Sequence, residues 1–107
     1  MYILTRTDLD PGLQAAQTAH AAFQFACEHP DVTAKWHRDS SYLIVLGVPD
    51  EETLTDYAKL VEQAEVPCSL FREPDIGDEA TALAVAPSDL WRMFSDLPLL
   101  GKELVAV

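Results

Sequence analysis

Three groups of residues in this chain have types and spacings that could do chemistry. The first is Gln17 with His20, within the run Ala15-Ala16-Gln17-Thr18-Ala19-His20-Ala21. Helix positions three and four apart share a face, so this amide and imidazole are expected to lie together, beside Leu13, Ala16, Phe23 and Cys27 on an otherwise apolar stripe. A buried polar pair needs partners, and the flanking alanines would let another backbone come close. The second group is acidic: Glu73, Asp75, Asp78 and Glu79. Glu73 stands at the end of a β-prone run, and strand ends in open α/β sheets tend to form sites. The third is Thr81, a hydroxyl at the start of the last apolar run. Each has a plainer explanation: a structural hydrogen bonder, a solvated turn and β-branched filler.

Other chemistries lack their signatures. No GxSxG occurs, and no Ser or Cys is paired with a recognisable base. Neither GxGxxG nor a P-loop is present. The acidic loop does not have EF-hand spacing, and His20, His29 and His37 form no zinc motif. No metal or cofactor is therefore expected.

The elements that must position these groups can be read in order. Tyr2–Thr5 is expected to be a strand, buried if central. Asp10 can cap a helix that starts at Pro11 and ends near Glu28, where His29-Pro30 stops it. A short second helix fits the region between Asp31 and Asp39, anchored by Trp36. Ser41–Val48 contains the unbroken apolar run Tyr42-Leu43-Ile44-Val45-Leu46, which predicts a strand covered on both faces. Asp50 caps the next helix, with Leu54, Tyr57, Val61 and Ala64 on its apolar face. Val66–Arg72 and Ala80–Ala86 read as the last two strands, followed by a short helix, Leu90–Phe94, capped by Ser88. Residues 97–107 are apolar but broken by Pro98 and Gly101, a candidate docking tail for the body or for a second copy in a homodimer. Two β-α-β passes predict parallel pairs, and the short final connection predicts an antiparallel pair. The expected fold is one α/β domain, a mixed four-stranded sheet with helices on both faces.

Charge narrows the function classes. The formal net charge is −11, from 18 acidic residues against seven Lys and Arg. That balance disfavours nonspecific attraction to phosphate backbones. No apolar run approaches the ~20 residues that span a bilayer, so no membrane association is expected. The N-terminal residues lack the basic and apolar regions of a secretory signal, and Cys27 and Cys68 fit no CxxC pattern. A reducing, cytoplasmic setting is the expectation.

The motifs together resemble the type II peptidyl-tRNA hydrolase family. The resemblance rests on Arg6-Thr7-Asp8-Leu9, on Ala15-Ala16-Gln17-Thr18-Ala19-His20-Ala21, and on Thr81-Ala82-Leu83-Ala84-Val85-Ala86-Pro87, in the family's order over about residues 2 to 87. It implies a three-layer α/β/α fold and metal-free hydrolysis of the ester joining a peptide to tRNA. It also implies site roles. Glu73 falls where the family's aspartate stands, with Asp75 as the nearby substitute, and Gln17 and His20 would orient that carboxylate or the attacking water. Thr81 would hydrogen-bond the substrate, and Arg6, Asp8 and Gly12 complete the implied substrate contacts. The family's Gly-Lys pair, whose lysine is regarded as catalytic, is here Gly12-Leu13. Three functions stay open at this level: hydrolysis of peptidyl-tRNA, a binding or regulatory role on the same fold without hydrolysis, and hydrolysis of a different small ester or amide that needs no basic tRNA surface.

Overall fold

Tyr2–Arg6 forms the first strand, β1, and its alternating side chains feed two separate cores. Ile3 joins one cluster with Ala21, Phe25, Ala82 and Ala84, while Leu4 joins the other with Leu54, Ala58, Val61 and Leu83. This is the period-two alternation of a strand buried on both faces. The computed structural model describes residues 1–102. After β1 come helices α1 (Pro11–Glu28) and α2 (Pro30–Asp39), strand β2 (Ile44–Val48), helix α3 (Glu51–Gln63), and strands β3 (Cys68–Glu73) and β4 (Glu79–Val85). Helices α1 and α2 cover one face of the sheet and α3 covers the other, so the architecture is three-layer α/β/α.

The strand order is β2-β1-β4-β3. β1 runs parallel to β2 and antiparallel to β4, and β4 is antiparallel to β3. Only one parallel pair results, where two crossovers predicted two. The second crossover does bring β3 back in the direction of β1, but β4 inserts between them.

β2 departs from expectation. It is an edge strand that starts at Ile44, and Tyr42 and Leu43 before it are 77% and 49% exposed. The first part of the apolar run thus lies outside the strand, while within β2 both faces are covered, Leu46 and Val48 by the α3-side core and Val45 by the α1-side core. The outer edge of β2 is met by the segment that follows the last strand: Gly47 N donates to Pro98 O and Leu100 N to Val45 O, each at 2.9 Å. Pro98–Leu100 of the apolar tail thus lie along β2 of their own chain, and residues 103–107 of the expected tail lie outside the described residues. The expected terminal helix is a single 3₁₀ turn, Leu90–Arg92, with Ser88 Oγ accepting from Leu90 N at 3.3 Å.

Helix α1 also turns a different side inward. Its buried residues are Gln17, Ala21 and Phe25. Leu13, Ala16, His20, Phe23 and Cys27, the expected inner stripe, face outward, with Phe23 73% exposed. From Pro11 to Cys27 the helix carries no charged residue, so polarity contrast cannot tell its two sides apart. Asp10 does not cap it with its side chain; only its backbone carbonyl accepts, from Gln14 N at 2.9 Å. Asp50 does cap α3, Oδ1 accepting from Thr53 N at 2.8 Å.

The β3–β4 ladder carries one irregularity. Phe71 pairs with Ala82, but Arg72 pairs with Ala80. Thr81 is the extra residue of a β-bulge. Leu83 and Ala80 both belong to the α3-side core, while Ala82 belongs to the α1-side core. Thr81 points to α1 as well, since its hydroxyl bonds a residue of that helix. Two consecutive side chains thus face one side, which only a bulge permits.

Candidate active site

Glu73 ends β3 and is 8% exposed. Its Oε2 accepts from Gln17 Nε2 at 3.2 Å, and its Oε1 accepts from the backbone N–H of Asp75 at 3.4 Å. Gln17 is 2% exposed, and its Oε1 accepts from Thr81 Oγ1 at 2.7 Å. These contacts make one chain: Thr81 hydroxyl to Gln17 carbonyl, then Gln17 amide to the Glu73 carboxylate. It links α1, the end of β3 and the bulge of β4. A hydroxyl that donates to the amide oxygen leaves the NH₂ facing the carboxylate, so the amide has one orientation that satisfies both neighbours.

The loop after Glu73 is a tight turn. Pro74–Ile76 is a single 3₁₀ turn, Gly77 is left-handed at φ +73°, and Asp78 N donates to Glu73 O at 3.0 Å. Glycine takes that conformation without the Cβ penalty. The turn leaves Asp75 exposed, with its backbone and not its side chain on Glu73.

The other sequence candidates sit differently. His20 is exposed and stacks on the ring of Phe71, centroids 4.7 Å apart and planes 10° from parallel. No hydrogen bond joins it to Glu73. Thr81 is fully buried, so in this structure its hydroxyl serves Gln17 and is not open to a ligand. Arg6, 6% exposed, is also committed. Its Nε and Nη2 donate to the two carboxylate oxygens of Asp8, both at 2.9 Å, and its Nη1 donates to Glu79 Oε1 at 2.8 Å and Ala80 O at 3.1 Å. The guanidinium holds the Asp8 carboxyl below the usual carboxylate range, and this forked pairing is among the stronger ion contacts. Arg6 and Asp8 thus bind each other, in place of the expected substrate contact. Gly12 lies exposed in the first turn of α1 with open space around its Cα.

Charge at this edge of the sheet is one-sided. Asp8, Asp50, Glu51, Asp75 and Glu79 all stand at the same ends of the strands as Glu73. The two arginines there are Arg6, held by Asp8 and Glu79, and Arg72, whose Nη1 donates to Asp78 O at 3.3 Å. Among the described residues, ion pairs join Arg6 to Asp8 and Glu79 and Lys35 to Asp39, and none reaches Glu73. No group of three or more metal-ligating side chains comes together among the described residues. A cavity of about 280 Å³ lies at the opposite edge, lined by Val32, Trp36 and Pro87 with the Lys35–Asp39 pair at its rim. It is separate from Glu73.

Sequence reasoning placed Gln17, Glu73 and Thr81 among the candidates but missed Glu51. Its Oε2 accepts from Ala80 N at 2.7 Å. In the sequence it is only one of two acids opening a helix. No helix among the described residues is long and apolar enough to cross a membrane.

No curated protein matches the sequence. A family model described as Peptidyl-tRNA hydrolase PTH2 matches residues 1–99, which run from β1 to the segment lying on the outer edge of β2. The match, the mixed four-stranded sheet and the helices on its two faces place this chain in the PTH2 family of peptidyl-tRNA hydrolases.

Proposed function

We propose that this protein hydrolyses the ester between a peptide and tRNA, with Glu73 as general base. The observation that carries the reading is the hydrogen-bonded chain from Thr81 through Gln17 to Glu73. It fixes a carboxylate at a strand end where, among the described residues, no Lys, Arg or His forms an ion pair with it. Such a group takes a proton from water as the water oxygen attacks the ester carbonyl carbon. The new C–O bond forms, the bond to the ribose oxygen breaks, and the proton passes to that leaving oxygen. Gln17 holds the carboxylate and Thr81 holds Gln17; in this reading Thr81 is a positioning residue and not the substrate contact expected from sequence. Exposed His20, stacked on half-buried Phe71 two residues before the base, is suited to packing against part of the substrate. A cytoplasmic setting goes with this reading, and two free cysteines are in keeping with a reducing compartment.

A second reading is favoured by specific observations. Leu13, 38% exposed, occupies the place of the lysine that the resemblance implies, and the site edge is acidic. A protein that keeps the fold and binds without hydrolysing would tolerate both. Release of labelled peptide from peptidyl-tRNA separates the two. Glu73→Gln is expected to lower that release by about 10²–10⁴-fold. Undiminished release by the variant, or none by the wild type at high concentration, would overturn the hydrolytic reading.

A further inference from the structure

The bulge in β4 is what turns Thr81 toward Gln17, and its backbone is held from outside the ladder. The two polar backbone groups of Ala80, the residue before Thr81, are met by side chains from other elements. Ala80 N donates to Glu51 Oε2 at 2.7 Å, and Ala80 O accepts from Arg6 Nη1 at 3.1 Å. Glu51 belongs to the first turn of α3, on the face of the sheet opposite α1. A buried N–H without a partner is costly, so Glu51 secures the phase change that a regular strand would lack. With regular alternation Thr81 would face α3, and Gln17 would lose the donor that orients its amide.

We infer that Glu51 is a positioning residue for the site. It acts through Ala80, Thr81 and Gln17 on Glu73, from the opposite side of the sheet. Arg6 holds the carbonyl of the same residue, on the following peptide group, and is itself gripped by Asp8 and Glu79. The assignment rests on the hydrolytic reading only for its effect on rate; the structural linkage stands apart from it.

The test uses Glu51→Ala, Glu51→Gln and, as a control on the same helix turn, Glu52→Ala. Glu51→Gln keeps an oxygen that can accept from Ala80 N. Two readouts are taken: kinetics of peptide release, and nuclear magnetic resonance of the Ala80 amide and the Gln17 side-chain amide. Glu51→Ala is expected to speed exchange of the Ala80 amide proton, to move the Gln17 side-chain signals, and to lower kcat by up to about 10²-fold with KM unchanged. Glu51→Gln should restore all three, and Glu52→Ala should alter none. If Glu51→Ala fails to fold, Glu51→Asp, one methylene shorter, takes its place. Gln17 signals that stay at wild-type positions in a folded Glu51→Ala protein, or a Gln variant no better than Ala, would overturn the inference. Absence of peptide release by the wild type would overturn the hydrolytic reading, while the resonance data still decide whether Glu51 holds the chain to Glu73.

Discussion

The hydroxyl of Thr81 donates to Oε1 of Gln17 at 2.7 Å inside the sheet–helix interface, and this contact sets which end of the amide faces Glu73. Thr81→Val keeps the shape of the side chain and removes the donor. The buried Gln17 oxygen then has no partner, a loss of about 1–3 kcal/mol in stability. Urea unfolding should show that decrease, and Thr81→Ser should recover most of it. Peptide release should fall in Thr81→Val by more than the unfolded fraction explains, because the freed amide can present its oxygen to the carboxylate.

Leu13 lies one helical turn before Gln17 and is partly exposed. A lysine there would bring a cation to an edge where acids predominate. Leu13→Lys is therefore expected to raise kcat for peptide release, by up to about 10²-fold. Steady-state kinetics on peptidyl-tRNA would check it, and an unchanged kcat would show that Leu13 is not what limits the site.

The Arg6–Asp8 fork makes stability depend on pH in one direction. Asp8 has its folded pKa depressed, first by the hydrogen bonds from Arg6. A depressed carboxyl contributes stability that is fully present above its unfolded value, about 3.9, and is lost as pH falls through the folded value. Urea midpoints should accordingly be flat near neutrality on this account and decline on acidification below about pH 4. Asp8→Asn should be less stable at neutral pH and should lose part of that acid decline.

The two thiols should differ sharply in reactivity. Cys27 is exposed on α1, whereas Cys68 is partly buried at the start of β3, where burial first and the nearby Glu62 and Glu28 next push its thiol pKa up. Thiolate is the reactive form. Alkylation at neutral pH followed by peptide mass spectrometry should find Cys27 modified well before Cys68.

Gly47 lies where the segment after the last strand crosses β2. A Cβ there would sit 2.7 Å from Thr7 Cγ2 and 3.8 Å from Pro98 Cγ. Gly47→Ala should destabilise the fold by about 1–3 kcal/mol through overpacking, measured by thermal or urea unfolding. It should also weaken protection of the Leu100 amide, which donates to Val45 O.

Much of this arrangement is legible in the sequence, for identifiable reasons. The helices announce themselves through Pro11, Pro30 and the Asp50 cap, and Glu73 through its place at a strand end. The inner side of α1 is not legible. Ala16, Phe23 and Cys27 are as apolar as Ala21 and Phe25, and the one strongly buried polar residue, Gln17, lies on the side that packs. The apolar run at Tyr42–Leu46 predicts a strand with both faces covered, which holds for Val45 and Leu46, yet apolar content shows neither that the strand starts only at Ile44 nor that it lies at the sheet edge. The bulge is hidden too. Thr81, Ala82, Leu83 and Ala84 read as an ordinary β run, and the shift shows only in how β4 meets β3. Without the bulge, neither the inward turn of Thr81 nor the part played by Glu51 could be seen.

The placement of β4 between β1 and β3 also sets an order in time. β1 lies at the start of the chain, but its second hydrogen-bonded neighbour is Glu79–Val85. A chain being synthesised at about 5–20 residues per second therefore carries Gln17 and Glu73 before the strand that joins their elements has been made. Until β4 emerges, β1 has one bare edge and β3 has no partner strand. Released fragments ending before residue 79 should be readily cut in pulse proteolysis, and fragments ending past residue 100 should resist it. The site and the central sheet thus both wait on the last strand of the chain, which joins two strands made before it.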